Sequence, residues 1–151
     1  MSDTNVLTKV LIIDDDYAMI DLLKILLESH NFEVYINNSG SSSAEMVREI
    51  DLDVVIVDLL MPVKDGLQVC RKIRAFSQVP ILILSVVDKP EIIKCALDAG
   101  ADEYLLKPVP TNVLAARLNT LVRRARAEKM AAASDSGKKN GQKHPMKTTR
   151  I

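Results

Sequence analysis

The chain has 151 residues, 48% of them hydrophobic and 26% charged, and a formal net charge of zero, which suits one globular domain with a real core and is too little for two of typical size. No apolar run approaches the roughly 18–20 residues of a membrane span, and Met1-Ser2-Asp3-Thr4-Asn5 lacks the charged-then-apolar order of a signal peptide, so no membrane partner is indicated and a cytoplasmic location is expected. The zero balance hides an asymmetry: residues 1–122 hold 11 Lys+Arg against 18 Asp+Glu, a net of −7, and the remainder holds 9 against 2, a net of +7.

Between Lys9 and Leu121 short apolar runs alternate with stretches of helical period, the pattern of a parallel sheet with crossover helices. In chain order the runs Val10–Ile13, Phe32–Ile36, Val54–Val57, Ile81–Leu84 and Tyr104–Leu106 predict five strands, most apolar throughout, as strands covered on both faces must be. Met19, Leu22, Leu23, Leu26 and Leu27 predict a first helix, Ala44–Ile50 a second, and Leu67, Val69, Cys70 and Ile73 a third. Ser42-Ser43-Ala44-Glu45 has capping-box spacing for the second helix. Asp88-Lys89-Pro90 opens a fourth, with Pro in its first turn, and Gly100 ends it. Thr111 or Asn112 is expected to cap a fifth, which buries Val113, Leu114, Leu118, Leu121 and Val122 and frays near Arg126. The fold expected is therefore α/β, a (βα)5 doubly wound parallel sheet.

The expected organisation is an N-terminal segment over residues 1–6, one domain over 7–124, and a basic tail or linker over 125–151 that lacks apolar periodicity and reads as disordered. Cys70 and Cys95 lie in apolar-periodic segments without Cys-x-x-Cys or His neighbours, so both read as packing residues. His30, at the end of the first helix, reads as a cation for the helix dipole, and His144 has no assignment.

In an open α/β sheet, chemistry gathers beyond the carboxyl ends of the strands at the topological switch point. The residues at those ends are Asp14-Asp15-Asp16, Asp58, Ser85 and Lys107-Pro108. Clustered carboxylates repel one another unless a cation or partial protonation relieves them, and Mg²⁺, with its preference for oxygen ligands and retained waters, suits Asp14, Asp15 and Asp58. An aspartate beside such an ion can itself be the nucleophile of phosphoryl transfer. Lys107 then offers a point charge and Ser85 a hydroxyl donor to the transferred oxygens. Asp16 reads first as the cap of the first helix, because its side chain can satisfy free N–H groups of the first turn.

Taken together, Val10-Leu11-Ile12-Ile13-Asp14-Asp15-Asp16, Val54-Val55-Ile56-Val57-Asp58-Leu59-Leu60-Met61-Pro62, Asp65-Gly66, Ile83-Leu84-Ser85, Ala99-Gly100-Ala101 and Tyr104-Leu105-Leu106-Lys107-Pro108 resemble the receiver domain of two-component response regulators over roughly residues 7–124. The resemblance implies a flavodoxin-like sheet of strand order 2-1-3-4-5 and a signalling switch whose only catalysis is its own phosphorylation and autodephosphorylation. It implies Asp58 as phosphoacceptor, Asp14 and Asp15 as the acidic pair at Mg²⁺ (with Mn²⁺ as a substitute), and the Leu60 backbone carbonyl as a further ligand. Ser85 and Tyr104 take the switch positions, Lys107 the conserved-lysine position, and Lys107-Pro108 the cis bond.

Implied partners are a sensor histidine kinase or phosphotransfer protein, and an output protein or second copy on the face made by the fourth helix, fifth strand and fifth helix. Val109, Val86 and Val113 depart from the common pattern on the output face and at the phosphate approach. A haloacid-dehalogenase-type phosphatase would need Asp-x-Asp, whereas Asp58 is followed by Leu59 and Leu60. The basic tail comes without a helix-turn-helix pattern or interleaved aromatics, so nucleic-acid binding by this domain alone is not indicated. A receiver portion of a DNA-binding transcriptional regulator remains an alternative organisation.

Overall fold

The computed structural model describes residues 6–38, 42–61 and 65–138. Met1–Asn5, Pro62 and the tail beyond Lys138, with His144, lie outside the described residues. The five apolar runs pair as parallel strands in the order β2-β1-β3-β4-β5, formed by β1 (Thr8–Ile13), β2 (Phe32–Asn37), β3 (Val54–Val57), β4 (Ile81–Ser85) and β5 (Glu103–Leu106). Crossover helices α1 (Tyr17–Glu28), α2 (Ser43–Glu49), α3 (Gly66–Arg74) and α4 (Pro90–Asp98) join them, and α5 (Thr111–Lys138) follows. The expected (βα)5 architecture and strand order are what the structure has.

The period-two geometry of a strand splits the apolar runs between two cores. Val10 and Ile12, Val54 and Ile56, and Leu82 and Leu84 face α1 and α5, with Leu114, Leu118 and Leu121 among them. Leu11 and Ile13, Val55 and Val57, and Ile81 and Ile83 face the side of α2, α3 and α4 with Val69, Cys70 and Ile73. These central-strand residues are fully or nearly fully buried, at about 1.5–3 kcal/mol for each large side chain taken from water. Burial of both faces is why the runs are continuous rather than alternating.

The helix ends differ from expectation in informative ways. Asp16 caps α1 as expected, its side chain accepting the Met19 N–H (3.2 Å), and the His30 ring approaches the Leu26 carbonyl at the far end (Nδ1···O 3.0 Å). Ser42 does not make the expected capping box, since it sits at φ 62° and its side chain makes no cap bond; its hydroxyl instead accepts from Asn37 Nδ2 (3.5 Å). Neither Thr111 nor Asn112 caps α5, because the first bonds, from Val113 and Leu114 N–H, end on the Pro110 carbonyl (both 3.0 Å). α5 does not end near Arg126 but continues to Lys138. Ala125, Ala127 and Ala131 to Ala133 favour helix without needing a partner face, and Arg126 reaches back to Asp53 (3.2 Å), which also accepts the Lys9 N–H (2.8 Å). Val113 is not among the buried residues of α5; its side chain is partly exposed. Cys70 is buried, as expected, but Cys95 is exposed and does not pack in the core, since α4 buries only Ala96.

Candidate functional site

Because β1 lies between β2 and β3, the connections leaving β1 and β3 diverge and open a crevice beyond their carboxyl ends. Asp14 follows β1, and its N–H donates to the Asn37 carbonyl (3.2 Å); Asp58 follows β3, and its N–H donates to the Ile13 carbonyl (2.9 Å). The ladder thus continues one step past each strand and fixes both backbones at the crevice. Their side chains are buried, with Asp14 3% and Asp58 7% exposed, and Asp15 is half-buried beside them. One carboxylate oxygen from each of Asp14, Asp15 and Asp58 lies within 4.8 Å of the others.

Lys107, just past β5, brings Nζ to 3.4 Å from Asp14 Oδ2 and 4.0 Å from Asp58 Oδ1. Its own N–H donates to the Ser85 carbonyl (2.9 Å), and the Lys107-Pro108 bond is cis. Val57 pairs with Ile83, so Ser85 lies one residue further along the strand direction than Asp58. Ser85 is fully buried, and its hydroxyl accepts the Val87 N–H (3.2 Å), while the half-buried Tyr104 donates from its hydroxyl to the Val87 carbonyl (2.7 Å). Leu60 belongs to the turn after Asp58: its N–H donates to Asp58 Oδ1 (3.3 Å), and it forms a bridge with Asp65. Asp16 is exposed, and its N–H donates to Asp14 Oδ1 (3.0 Å).

Burial is the largest influence on Asp58 and, with the nearby Asp14 and Asp15 charges, outweighs the Lys107 ammonium and the Leu60 N–H, pushing its pKa up to about 6. The Tyr104 phenol is also raised, chiefly by burial, with the Ser85 hydroxyl pulling it back. Three crowded hard-oxygen donors, one of them held above its ordinary pKa, suit a hard divalent cation.

Asp65 and Gly66 of the Asp-Gly pair have roles of their own at the site. Asp65 caps α3 through the Leu67 N–H (3.0 Å), a role that an Asp ahead of an apolar helix signals locally. Gly66 lies so close to the preceding turn that a Cβ there would overlap the Asp58 carbonyl oxygen and come 2.8 Å from Leu59 Cα. No sequence rule gives that approach, because it depends on where α3 crosses the end of β3.

A doubly wound five-stranded sheet with this acidic group, lysine and hydroxyl at its switch point is of the CheY-like receiver class. A family model described as "Response regulator receiver domain" matches residues 10–119, and the chain belongs to that family. Relatives include the DNA-binding response regulator MtrA of Mycolicibacterium smegmatis, 35% identical over 116 residues that make up 77% of this chain and 51% of the relative. MtrA of Mycobacterium tuberculosis strain H37Rv is 34% identical with the same coverage. The chain spans about half the length of the curated relatives it matches. Among solved structures, the BeF3-activated N-terminal receiver domain of Klebsiella pneumoniae RstA is similar at a TM-score of 0.73 and 32% identity, covering 77% of this chain and 99% of that one. The receiver domain of Francisella response regulator 1452 is similar at 0.73 and 29%, covering 78% and 98%. Among the described residues no helix is long and apolar enough to cross a membrane.

Proposed function

We infer that this receiver domain takes a phosphoryl group onto Asp58 from a sensor histidine kinase or phosphotransfer protein, in the cytoplasm, and relays the event through the face made by α4, β5 and α5. The observation that carries the reading is the buried Asp58 carboxylate, within 4.8 Å of Asp14 and Asp15 oxygens and 4.0 Å from the Lys107 ammonium. Asp14, Asp15 and Asp58, with the Leu60 backbone carbonyl, would hold Mg²⁺ or Mn²⁺. Bound there, the ion would neutralise charge on the phosphoryl oxygens during transfer.

The residues of the chain supply the rest. An Asp58 oxygen forms the new bond to phosphorus as the bond from phosphorus to the donor breaks, and the donor leaves with the bonding pair and a proton from solvent. Asp58 must be ionised to attack, and with a pKa of about 6 it is mostly so at neutral pH. Lys107 meets charge on the transferred group, and the Ser85 hydroxyl donates to one of its oxygens. Because Ser85 also holds the Val87 N–H and Tyr104 the Val87 carbonyl, that donation disturbs the loop before α4. Leu97, Leu106 and Val113 are partly exposed large apolar groups on the output face, where Arg117 pairs with Glu103 (3.0 Å). A receiver portion of a longer DNA-binding regulator is a second reading, favoured by the length and names of the MtrA relatives.

Acetyl phosphate with Mg²⁺ should add one phosphoryl mass to the full chain, mapping to the peptide that contains Asp58. A label that maps to another residue overturns the assignment. The lifetime of the label gives a further prediction. Leu60, 55% exposed, and Val87 flank the acceptor and the hydroxyl two residues on, and neither side chain can orient an attacking water. Leu60→Asn with Val87→Glu should shorten the lifetime about tenfold if roughly 1.4 kcal/mol of water positioning is gained, as read by decay of the label at saturating Mg²⁺. An equal or longer lifetime would show that these positions do not gate the water.

A further inference from the structure

An open recess of about 620 Å³ lies between the turn after Asp58 and the loop before α4. Its floor is apolar, with Leu60, Leu67, Val86 and Ile92, and its rim carries Asp65 and Asp88 against Lys89. Leu60 and Val86 are 55% and 61% exposed, so large apolar side chains are left in water at one spot rather than scattered singly. Asp14, Asp15, Asp16 and Asp58 stand at the same edge of the sheet, with Lys107 as the cation beside them, and the field over the recess is negative.

The complementary feature is at the other end of the chain. Residues 1–122 carry a net −7 and the remainder +7, and the sequence after Lys138 has no Asp or Glu. Within it, Lys143-His144-Pro145-Met146-Lys147 places one large apolar side chain between two ammonium groups. Pro145 biases His144 toward extended backbone, which lowers the entropy lost on docking, and an unbranched Met side chain adapts to an irregular apolar floor.

A chain cannot bring this segment to its own recess. α5 begins beyond the carboxyl end of β5, and Arg126 meets Asp53 at the start of β3, so α5 runs back along the sheet and leaves at the edge opposite the crevice. From Thr111 to Lys138 the helix covers about 40 Å at roughly 1.5 Å per residue. An extended chain returns at most about 3.3–3.6 Å per residue and needs roughly 12 residues to come back; Met146 and Lys147 follow Lys138 by only eight and nine. α5 also packs on the α1 face of the sheet, whereas Leu67 and Ile92 belong to the α3 and α4 face.

We propose that Lys143–Lys147 of one copy docks in the recess between the first turns of α3 and α4 of a second copy, with Met146 on the apolar floor and the two lysines at Asp65 and Asp88. The contact joins two different surfaces, so copies add head to tail. It is weak and salt-sensitive, because it consists of one apolar side chain and two exposed ion pairs. The docked segment lies over the turn that follows Asp58 and covers that side of the crevice.

The test is sedimentation velocity of the full chain over a concentration series, in low-salt buffer with chelator so that the crevice keeps its full charge. The weight-average sedimentation coefficient should rise with concentration. The association constant should fall about tenfold between roughly 0.05 and 0.5 M salt, where the screening length shortens about threefold. Two variants separate the partners: Lys143→Gln with Met146→Ser and Lys147→Gln removes the segment, and Val86→Ser with Asp88→Asn, both at exposed positions, alters the recess. Each variant alone should stay monomeric. Mixed, they should form a one-to-one pair and nothing larger, since one intact recess and one intact segment remain. A parent that stays monomeric across the series overturns the proposal, as does a mixture that does not pair. Association that survives in the segment variant places the contact elsewhere on the chain, and association that survives in the recess variant sends the segment to another surface; either overturns the recess as its site. Amide shifts of Val86 and Ile92 that differ between parent and segment variant and persist on dilution would put the segment in its own recess and overturn the second copy.

Discussion

Asp58→Asn should abolish phosphoryl labelling and, in metal-free buffer at pH 7, raise the melting temperature by roughly 5–10 °C. The first effect follows from loss of the nucleophilic carboxylate: the amide at position 58 has no ionised oxygen to attack phosphorus. Labelling of the variant at the parent's rate would place the acceptor elsewhere. The second effect follows from the environment. Burial and the Asp14 and Asp15 charges hold Asp58 near pKa 6 in the folded chain, against about 3.9 in an unfolded one. The folded state therefore binds the Asp58 proton more tightly than the unfolded state does. Above pH 6 the carboxylate is charged in both states, and the charge destabilises the fold by something on the order of 2–3 kcal/mol. As pH falls from 6 to 4 the folded state takes up the proton first and the cost fades; below about 3.9 it is absent.

The stabilising effect of Asp58→Asn should thus be full at pH 7, shrink through pH 6 to 4 and vanish below, as read by melting curves of parent and variant in chelator. Added Mg²⁺ should then raise the melting temperature of the parent more than that of the variant, because binding to the folded state alone stabilises it and the variant has lost one ionised ligand group. A variant less stable than the parent at pH 7 without metal would mean that the Asp58 charge is compensated in the fold. In that case Lys107 must offset more than its 4.0 Å separation suggests.

How far the sequence was readable depended on whether a feature is local. The two-sided burial of β1, β3 and β4 wrote itself as continuous Val, Ile and Leu runs, and each polar residue that breaks a run, Asp14, Asp58 and Ser85, stands at a strand end in the crevice. Their convergence was inferable from the crossover pattern alone, since parallel strands put all carboxyl ends on one edge. The 4.8 Å clustering of the carboxylates and the position of Lys107 were not, because they depend on strand order and side-chain direction. The cap of α1 at Asp16 was legible from an Asp before an apolar helix, whereas Ser42 carried the right spacing and the wrong backbone conformation. Cys95 sat in an apolar-periodic segment, yet α4 turns that position to solvent. α5 outran Arg126 because its extension is favoured by alanine propensity, to which a reading of apolar periodicity is blind. Arg74 had no sequence signal: the four acceptors of its guanidinium, the Gly100, Ser77 and Val79 carbonyls and Asp102 Oδ2, belong to loops that only the fold brings together.

Gly66→Ala should destabilise the domain by about 4 kcal/mol, at the upper end for one added methyl, and weaken divalent-cation binding along with it. The reason is not backbone freedom but space. A Cβ at position 66 would overlap the Asp58 carbonyl oxygen and approach Leu59 Cα to 2.8 Å, and both obstacles are main chain, with no side-chain rotation to relieve them. The start of α3 must then move off the end of β3, or the turn after Asp58 must bend away. The first choice opens the core contact of Val69 and Cys70 against β3 and β4; the second shifts Leu60, whose N–H donates to Asp58 Oδ1 and whose carbonyl is the proposed ligand. Asp65 is pulled along in either case, loosening its cap on Leu67 and its bridge to Leu60. Chemical denaturation and Mg²⁺ titration of Gly66→Ala check both halves. Tenfold or greater loss of cation affinity in a variant that still folds would show that the close approach of α3 sets the site's geometry. Stability within about 1 kcal/mol of the parent would mean that the turn after Asp58 yields freely, and that Gly66 is there for another reason.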